Sequence, residues 1–488
     1  MGSVPIFLVA FLAGAATVLA FAPLGLYPLA LASFAILIHL WMAPSPRRCF
    51  GAGFWFGLGL YGAGASWSYV SMHQFGGMPA WLAAIATLFW CAFLALFPAA
   101  AGWLQARVPA REPLRAWLLI PASWTLLEWT LSWIFTGFPW MAAGYAAPGW
   151  SVEGYAPLFG VYGESFVTLA MAGLVWQLAT RRGRLAPALA LVVLLGAGEA
   201  LRQVRWTEPS GAPFSATLLQ GNIRQEVKFV PGHYERTLEV YARLAEESRA
   251  RLIVLPETAL PRFLDAVSPA YLARLEAAAR RNDGDLVLGV PMRSGADAYT
   301  NSVVTLGSSP PQTYHKVHLV PFGELIPPGF GWIIRRLEIP LGDFARGAPD
   351  QAPLAVAGQR VAVNICYEDA FGEEIARAAA NATLLVNVSN IAWFGDSLAP
   401  AQHLGIARLR ALETGRMHLT ATNTGITAAI DRDGRVLARL PQYAEGRLEI
   451  TAQGYNGATP FLRWRDWPII IFATGILGLF VVRARLTR

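Results

Sequence analysis

The first 200 residues read as long apolar runs broken by short polar segments. Seven such runs lie at roughly residues 5–22, 26–43, 50–71, 79–105, 116–135, 157–179 and 185–201. Most approach or exceed the ~20 residues that a helix needs to cross a bilayer. An eighth, Pro468 to Val482, follows the aromatic and charged border Trp464-Arg465-Asp466-Trp467 and ends in arginines. The pattern predicts eight membrane-spanning helices. The first run is closely followed by a second, and Met1-Gly2-Ser3 carries no basic residue, so the first is expected to be a retained span rather than a cleaved signal.

Between the seventh and eighth runs the pattern changes. From about Ser210 to Tyr455 short β-branched stretches recur at Ala216–Gln220, Leu252–Pro256, Leu286–Val290, Ser302–Leu306, Val361–Ile365 and Leu384–Val388. Further strand-like stretches fall near Leu419–Ala421 and Thr427–Ile430. Helical periodicity covers Tyr234–Arg251 and Pro269–Arg281. Buried strands interleaved with helices predict a mixed α/β domain. The expected division is a seven-span membrane domain over 1–208, an α/β domain over 209–456, and an eighth span with a tail over 457–488.

Charge orients this arrangement. The net charge is +7, which by itself suggests a polyanionic partner. The basic residues nevertheless sit where membrane topology needs them: Arg47 and Arg48, Arg107, Arg111 and Arg115, Arg181, Arg182 and Arg184, and Arg483, Arg485 and Arg488. These follow runs two, four and six and the last run, whereas the segments after runs one, three and five hold no lysine or arginine. Positive residues stay cytoplasmic, so both termini are expected there and the α/β domain on the far side, the periplasm of a diderm bacterium. With 55% hydrophobic and 15% charged residues the chain is unlike an ordinary soluble protein. No basic stripe is left for nucleic acid.

The candidate chemistry stands at three strand ends. Leu252-Ile253-Val254-Leu255-Pro256-Glu257 ends in a carboxylate, Thr313-Tyr314-His315-Lys316 in a lysine, and Val361 through Ile365 in Cys366, followed by Tyr367 and Glu368. Strand ends of an α/β sheet hold side chains rigidly at a crevice. Lys316 and Lys228 are the only lysines against 37 arginines, and lysine offers a compact, tunable ammonium that arginine does not. Of the three cysteines, Cys49 and Cys91 lie at or in apolar runs and Cys366 stands alone in the α/β region, so no disulfide forms within that domain. His73, His403 and His418 show no metal-ligand spacing. Neither a metal nor a cofactor is expected.

Glu257 in LPET, Lys316 in YHKVHLVPFGE and Cys366 in ICYED resemble the Glu-Lys-Cys triad of the nitrilase, or carbon–nitrogen hydrolase, superfamily. With seven spans before the domain and one after, nearly the whole chain resembles the apolipoprotein N-acyltransferase family. Supporting motifs are Thr136-Gly137-Phe138-Pro139-Trp140, Gln220-Gly221-Asn222-Ile223, Asn387-Val388-Ser389-Asn390, Trp393-Phe394-Gly395-Asp396 and Arg408 through Gly415. Phe229 departs from the pattern, since relatives often carry Trp after the lysine of that segment. The resemblance implies an αββα sandwich and a ping-pong transfer from a phospholipid acyl donor, phosphatidylethanolamine first among them, to the amine of a diacylglyceryl apolipoprotein acceptor. Glu257 would act as base, Cys366 as nucleophile and Lys316 as oxyanion stabiliser. Glu324 and Glu368 receive supporting roles, with Tyr367 beside them, one carboxylate holding Lys316 and another tuning Glu257.

The stretch from Leu325 to Phe344 is more apolar than a periplasmic loop should be. It is expected to be a lid dipping into the bilayer, with Phe330, Trp332 and Ile333 at its centre. Phe229, Asn387, Trp393, Phe394 and Trp140 complete the expected substrate-facing set. A membrane-tethered amidase or nitrile hydrolase is the competing reading, because the same triad with water as acceptor hydrolyses. A transporter or a binding scaffold is a third, against which stand the few paired charges in the spans and the lack of matching halves.

Overall fold

The computed structural model describes residues 5–43, 45–295, 298–326 and 344–486. The chain divides into two compact units: residues 1–205 with 397–405 and 464–488, and residues 206–396 with 406–463.

The first unit is helical. Its main helices are Ile6–Thr17, Tyr27–Trp41, Pro46–Gly64, Ala80–Arg107, Ile120–Leu131, Ala156–Thr180, Leu185–Arg202 and Trp467–Leu486. Among the described residues four stretches are long and apolar enough to cross a membrane: Ala80–Arg107, Ser151–Thr180, Leu185–Arg202 and Trp467–Leu486. Ile6–Ala20 and Tyr27–Trp41 are apolar but shorter. Leu88, Phe89, Val192, Val193, Ile471 and Leu479 point outward and exposed, the inverse of a water-facing helix surface and the mark of a membrane protein. Helices pack here through small residues: a Cβ at Gly14 would collide with the Phe56 carbonyl, and one at Gly59 with the Phe11 carbonyl. Such close backbone approach is how apolar helices associate without a hydrophobic drive. Gln402 ties the unit together, its Oε1 accepting from the indole N–H of Trp67 at 3.0 Å and of Trp140 at 2.8 Å.

The second unit is an αββα sandwich. Its strands are β1 (Thr207–Gln220), β2 (Leu252–Val254), β3 (Asp285–Arg293), β4 (Tyr299–Gly307), β5 (Thr313–His315), β6 (Leu354–Val356), β7 (Gln359–Ile365), β8 (Leu384–Ser389), β9 (His418–Thr422), β10 (Ala428–Ile430), β11 (Val436–Arg439) and β12 (Gly446–Gly457). They form two six-stranded sheets, in orders β12-β1-β2-β3-β4-β5 and β11-β10-β9-β8-β7-β6. The pairs β1–β2, β2–β3, β7–β8 and β8–β9 are parallel, and the outer pairs are antiparallel.

Alternation along each central strand builds the layers. Leu252 and Val254 face the second sheet while Ile253 faces the helices Tyr234–Glu247 and Pro269–Arg280. Val361, Val363 and Ile365 likewise face the inter-sheet core, and Ala362 faces Ile375, Ala376 and Ala379 of the helix Gly372–Ala379. Both faces of these strands are buried, which explains their uninterrupted apolar character in the sequence. β6, β11 and β12 went unanticipated. β12 carries Arg447, Glu449 and Gln453 and earns its place by eleven paired positions with β1, not by hydropathy.

Candidate active site

Three strand ends deliver reactive groups to one place. Glu257 follows β2, Lys316 follows β5, and Cys366 follows β7; all three are buried. Lys316 Nζ lies 3.4 Å from Glu257 Oε1 and 2.8 Å from Glu324 Oε2. Cys366 lies within electrostatic reach of Glu257, Lys316 and Glu324. Its backbone is left-handed, with φ 54°, a conformation that costs a non-glycine residue on the order of 1–3 kcal/mol and is kept where function needs it. The strand therefore ends in an abrupt turn, Cys366–Ala370, that presents the sulfur.

Three further groups hold Glu257, none of them anticipated. The Asn390 backbone N–H donates to its Oε2 at 2.8 Å, and Asn301 Nδ2 donates to its Oε1 at 2.6 Å. The same Asn301 amide donates to Glu324 Oε1 at 3.0 Å, bridging the two carboxylates. Lys228 Nζ reaches the Glu257 carbonyl oxygen at 3.4 Å. Asn390 is itself held by Gln225 and Asn423, and Asn423 by Ile223. The Gln220–Ile223 and Asn387–Asn390 motifs thus brace the loop that carries Glu257's hydrogen-bond donor.

The two outlying carboxylates have separate places. Glu324 grips Lys316. Glu368 touches neither Lys316 nor Glu257 by hydrogen bond. It accepts instead from the backbone N–H groups of Val317 at 2.6 Å, His318 at 3.0 Å and Ile365 at 2.6 Å, and from the Tyr314 hydroxyl at 3.0 Å. Those residues flank Lys316 and Cys366, so one carboxylate bolts the two loops together. Tyr367 is buried, with its ring edge-on to Phe371.

The charge environment follows from burial and neighbours. Burial, then Glu257, raise the Cys366 thiol well above its ordinary range, and Lys316 only partly offsets this. The resting sulfur is a thiol. Burial lowers the Lys316 ammonium, but Glu324 and Glu257 more than reverse this, and it stays charged. Burial pushes the Glu368 carboxyl up to about 7 against the pull of its backbone donors and Lys316.

Of the expected substrate-facing residues, Phe229 and Trp393 are exposed. Phe394 packs against the inter-sheet core. Asn387 is buried and donates to the Cys366 carbonyl at 3.2 Å. Trp140 belongs to the helical unit, bonded to Gln402 and stacked on His403. Phe330, Trp332 and Ile333 lie outside the described residues. Among the described residues no cluster of His, Cys, Asp and Glu is placed to hold a metal ion.

A buried Glu-Lys-Cys centre at strand ends of an αββα sandwich defines a carbon–nitrogen hydrolase domain. Residues 215–454 match the family Carbon-nitrogen hydrolase, and residues 13–174 match the family Apolipoprotein N-acyltransferase N-terminal domain. The chain is 49% identical over 485 residues to the apolipoprotein N-acyltransferase of Nitrosomonas europaea, covering 98% of this chain and 96% of that one. It is 43% identical to that of Methylococcus capsulatus, covering 96% and 94%. The chain belongs to the apolipoprotein N-acyltransferase family. Among solved structures, an amidase from Nesterenkonia sp. is 22% identical, with a TM-score of 0.39, over 53% of this chain and 96% of that one.

Proposed function

We propose that this enzyme moves a fatty acyl chain from a phospholipid to the α-amine of the diacylglyceryl-cysteine at a lipoprotein's N-terminus, the last step of lipoprotein maturation. The observation that carries the reading is the convergence of Glu257, Lys316 and Cys366 in a buried centre, in a chain whose other unit includes apolar helices of membrane length.

Glu257 takes the Cys366 proton as the sulfur attacks the ester carbonyl, because a thiol raised this far supplies no standing thiolate. The Lys316 ammonium and the Tyr367 backbone N–H stabilise the oxyanion. Collapse expels lysophospholipid, which takes the proton from Glu257, and leaves a thioester on Cys366. The acceptor amine then loses a proton to Glu257 and attacks the thioester, returning the thiol. Glu324 keeps Lys316 aimed, and Glu368 keeps the Lys316 and Cys366 loops in register. No cofactor enters the cycle.

The same reading assigns eight crossings of the inner membrane, with both termini cytoplasmic, the domain over 209–456 in the periplasm, and phosphatidylethanolamine as the donor. The distribution of arginines supports it. Phe229 and Trp393, both exposed, serve as acyl-chain contacts. Complementation tests the function: the wild-type chain restores N-acylated lipoproteins in a strain lacking this maturation step, and Cys366→Ala does not. Full restoration by Cys366→Ala would overturn it.

A further inference from the structure

The chemistry above uses one of the chain's two lysines. The other, Lys228, ends the short helix Gln225–Lys228 and is 2% exposed. Its one hydrogen bond among the described residues is the 3.4 Å contact to the Glu257 carbonyl, a long bond for a group with three donors. No carboxylate lies within ion-pair distance of it among the described residues. Burying an ammonium this incompletely satisfied is costly, so the position calls for a reason. The ionisable groups set against it are Glu257 and Cys366, from the segments after β2 and β7. Burial pulls its ammonium down to about 8, opposed by Glu257 and then Cys366.

The charge inventory supplies the reason. Two carboxyl groups, Glu257 and Glu324, lie within ion-pair distance of the single ammonium of Lys316, so the centre pairs two acids with one base at contact distance. We propose that Lys228 is a positioning residue of the acyl-transfer centre, holding the Glu257 backbone and supplying the second positive charge against which the Cys366 sulfur gives up its proton. The inference rests on Cys366 being the nucleophile. In the step concerned, the S–H proton passes to the Glu257 carboxylate, the sulfur electron pair forms the C–S bond, and the carbonyl pair moves to oxygen. Lys228 keeps its protons throughout.

Alkylation of Cys366 by iodoacetamide reads the sulfur without a lipid substrate. The full-length protein in detergent micelles would be alkylated from about pH 6 to about pH 10, with peptide mass spectrometry locating the adduct, for wild type, Lys228→Met and Lys228→Arg. Loss of the charge is expected to slow alkylation about tenfold near pH 7, below the range in which Lys228 gives up its proton. Lys228→Arg restores most of the rate. It also moves the upper break of the pH profile, which in the wild type falls where Lys228 deprotonates, to higher pH, because arginine keeps its proton. A purely structural role would not move that break. Equal alkylation of wild type and Lys228→Met, with equal thermal midpoints, overturns the inference. Should Lys228→Met fail to fold, an unmoved break in Lys228→Arg overturns it as well. Slowed alkylation in Lys228→Met, in a protein whose wild type forms no acyl-enzyme from phospholipid, supports the inference while removing the acyl-transfer reading, so the two fail separately.

Discussion

Glu368→Gln tests how the site is assembled. The carboxylate accepts three backbone N–H groups and a phenol, two N–H groups on Oε1 and one on Oε2. An amide of the same shape keeps one acceptor oxygen. It settles with that oxygen toward Val317 and His318, since the reverse orientation would orphan two donors. Its NH2 then faces the Ile365 N–H, donor against donor. One buried N–H is left unsatisfied at about 1–3 kcal/mol, and the remaining bonds lose their ionic character. Because Ile365 precedes Cys366 and Val317 follows Lys316, the loss falls on the alignment of nucleophile and ammonium. About 2 kcal/mol corresponds to about a thirtyfold slower acylation. The assay is intact-protein mass spectrometry of acyl-Cys366 against time after mixing with phospholipid, with thermal unfolding alongside. The carboxyl sits near 7, so in the wild type protonation below that pH mimics the amide. Its acylation rate therefore falls as pH drops through about 7, an acid limb absent from Glu368→Gln. A Gln variant with wild-type rate, midpoint and acid limb would refute the bolt.

Other residues give equally definite outcomes. Asn301→Asp replaces the donor that bridges Glu257 and Glu324 with a third carboxylate; like charges this close cannot all ionise, and acylation should fall on the order of a hundredfold, read by the same assay. Lys316→Met removes a charge that lowers the Cys366 thiol, so iodoacetamide alkylation of Cys366 near pH 8 should slow by about tenfold or more. Gln402→Leu removes the acceptor that the indole N–H groups of Trp67 and Trp140 share and the amide that donates to the Gly64 carbonyl, three hydrogen bonds in all, while Trp67 keeps its bond to Gly64. It should cost about 2 kcal/mol or more, seen as a lowered unfolding midpoint.

The convergence of Glu257, Lys316 and Cys366 was legible because rigid strands ending in reactive residues leave a local signature. Apolar stretches running into Glu257 and Cys366 can be read by eye, and Lys316 stood out against an arginine background. The separate work of Glu324 and Glu368 was not legible, because it depends on which backbone N–H groups converge across two loops, a tertiary fact. Asn301 lies on a strand and carries no signal of its own. Lys228 did carry one, the same rarity that singled out Lys316, and its use was missed because no strand-end motif surrounds it. Asn387 illustrates the opposite: a motif residue whose side chain holds the Cys366 carbonyl. In the sheets, β12 escaped because an edge strand with Arg447 and Glu449 pointing to solvent has no apolar run to find.

The central claim is that Cys366 carries the acyl chain between donor and acceptor. Purified protein incubated with phosphatidylethanolamine of a single chain type, quenched in acid and digested, should yield the Cys366 peptide heavier by one acyl group. That mass should disappear on treatment with neutral hydroxylamine or on addition of a diacylglyceryl peptide, whose own mass rises by the same amount. Transfer to the peptide with Cys366 never acylated, or from a protein carrying Cys366→Ala, would contradict it.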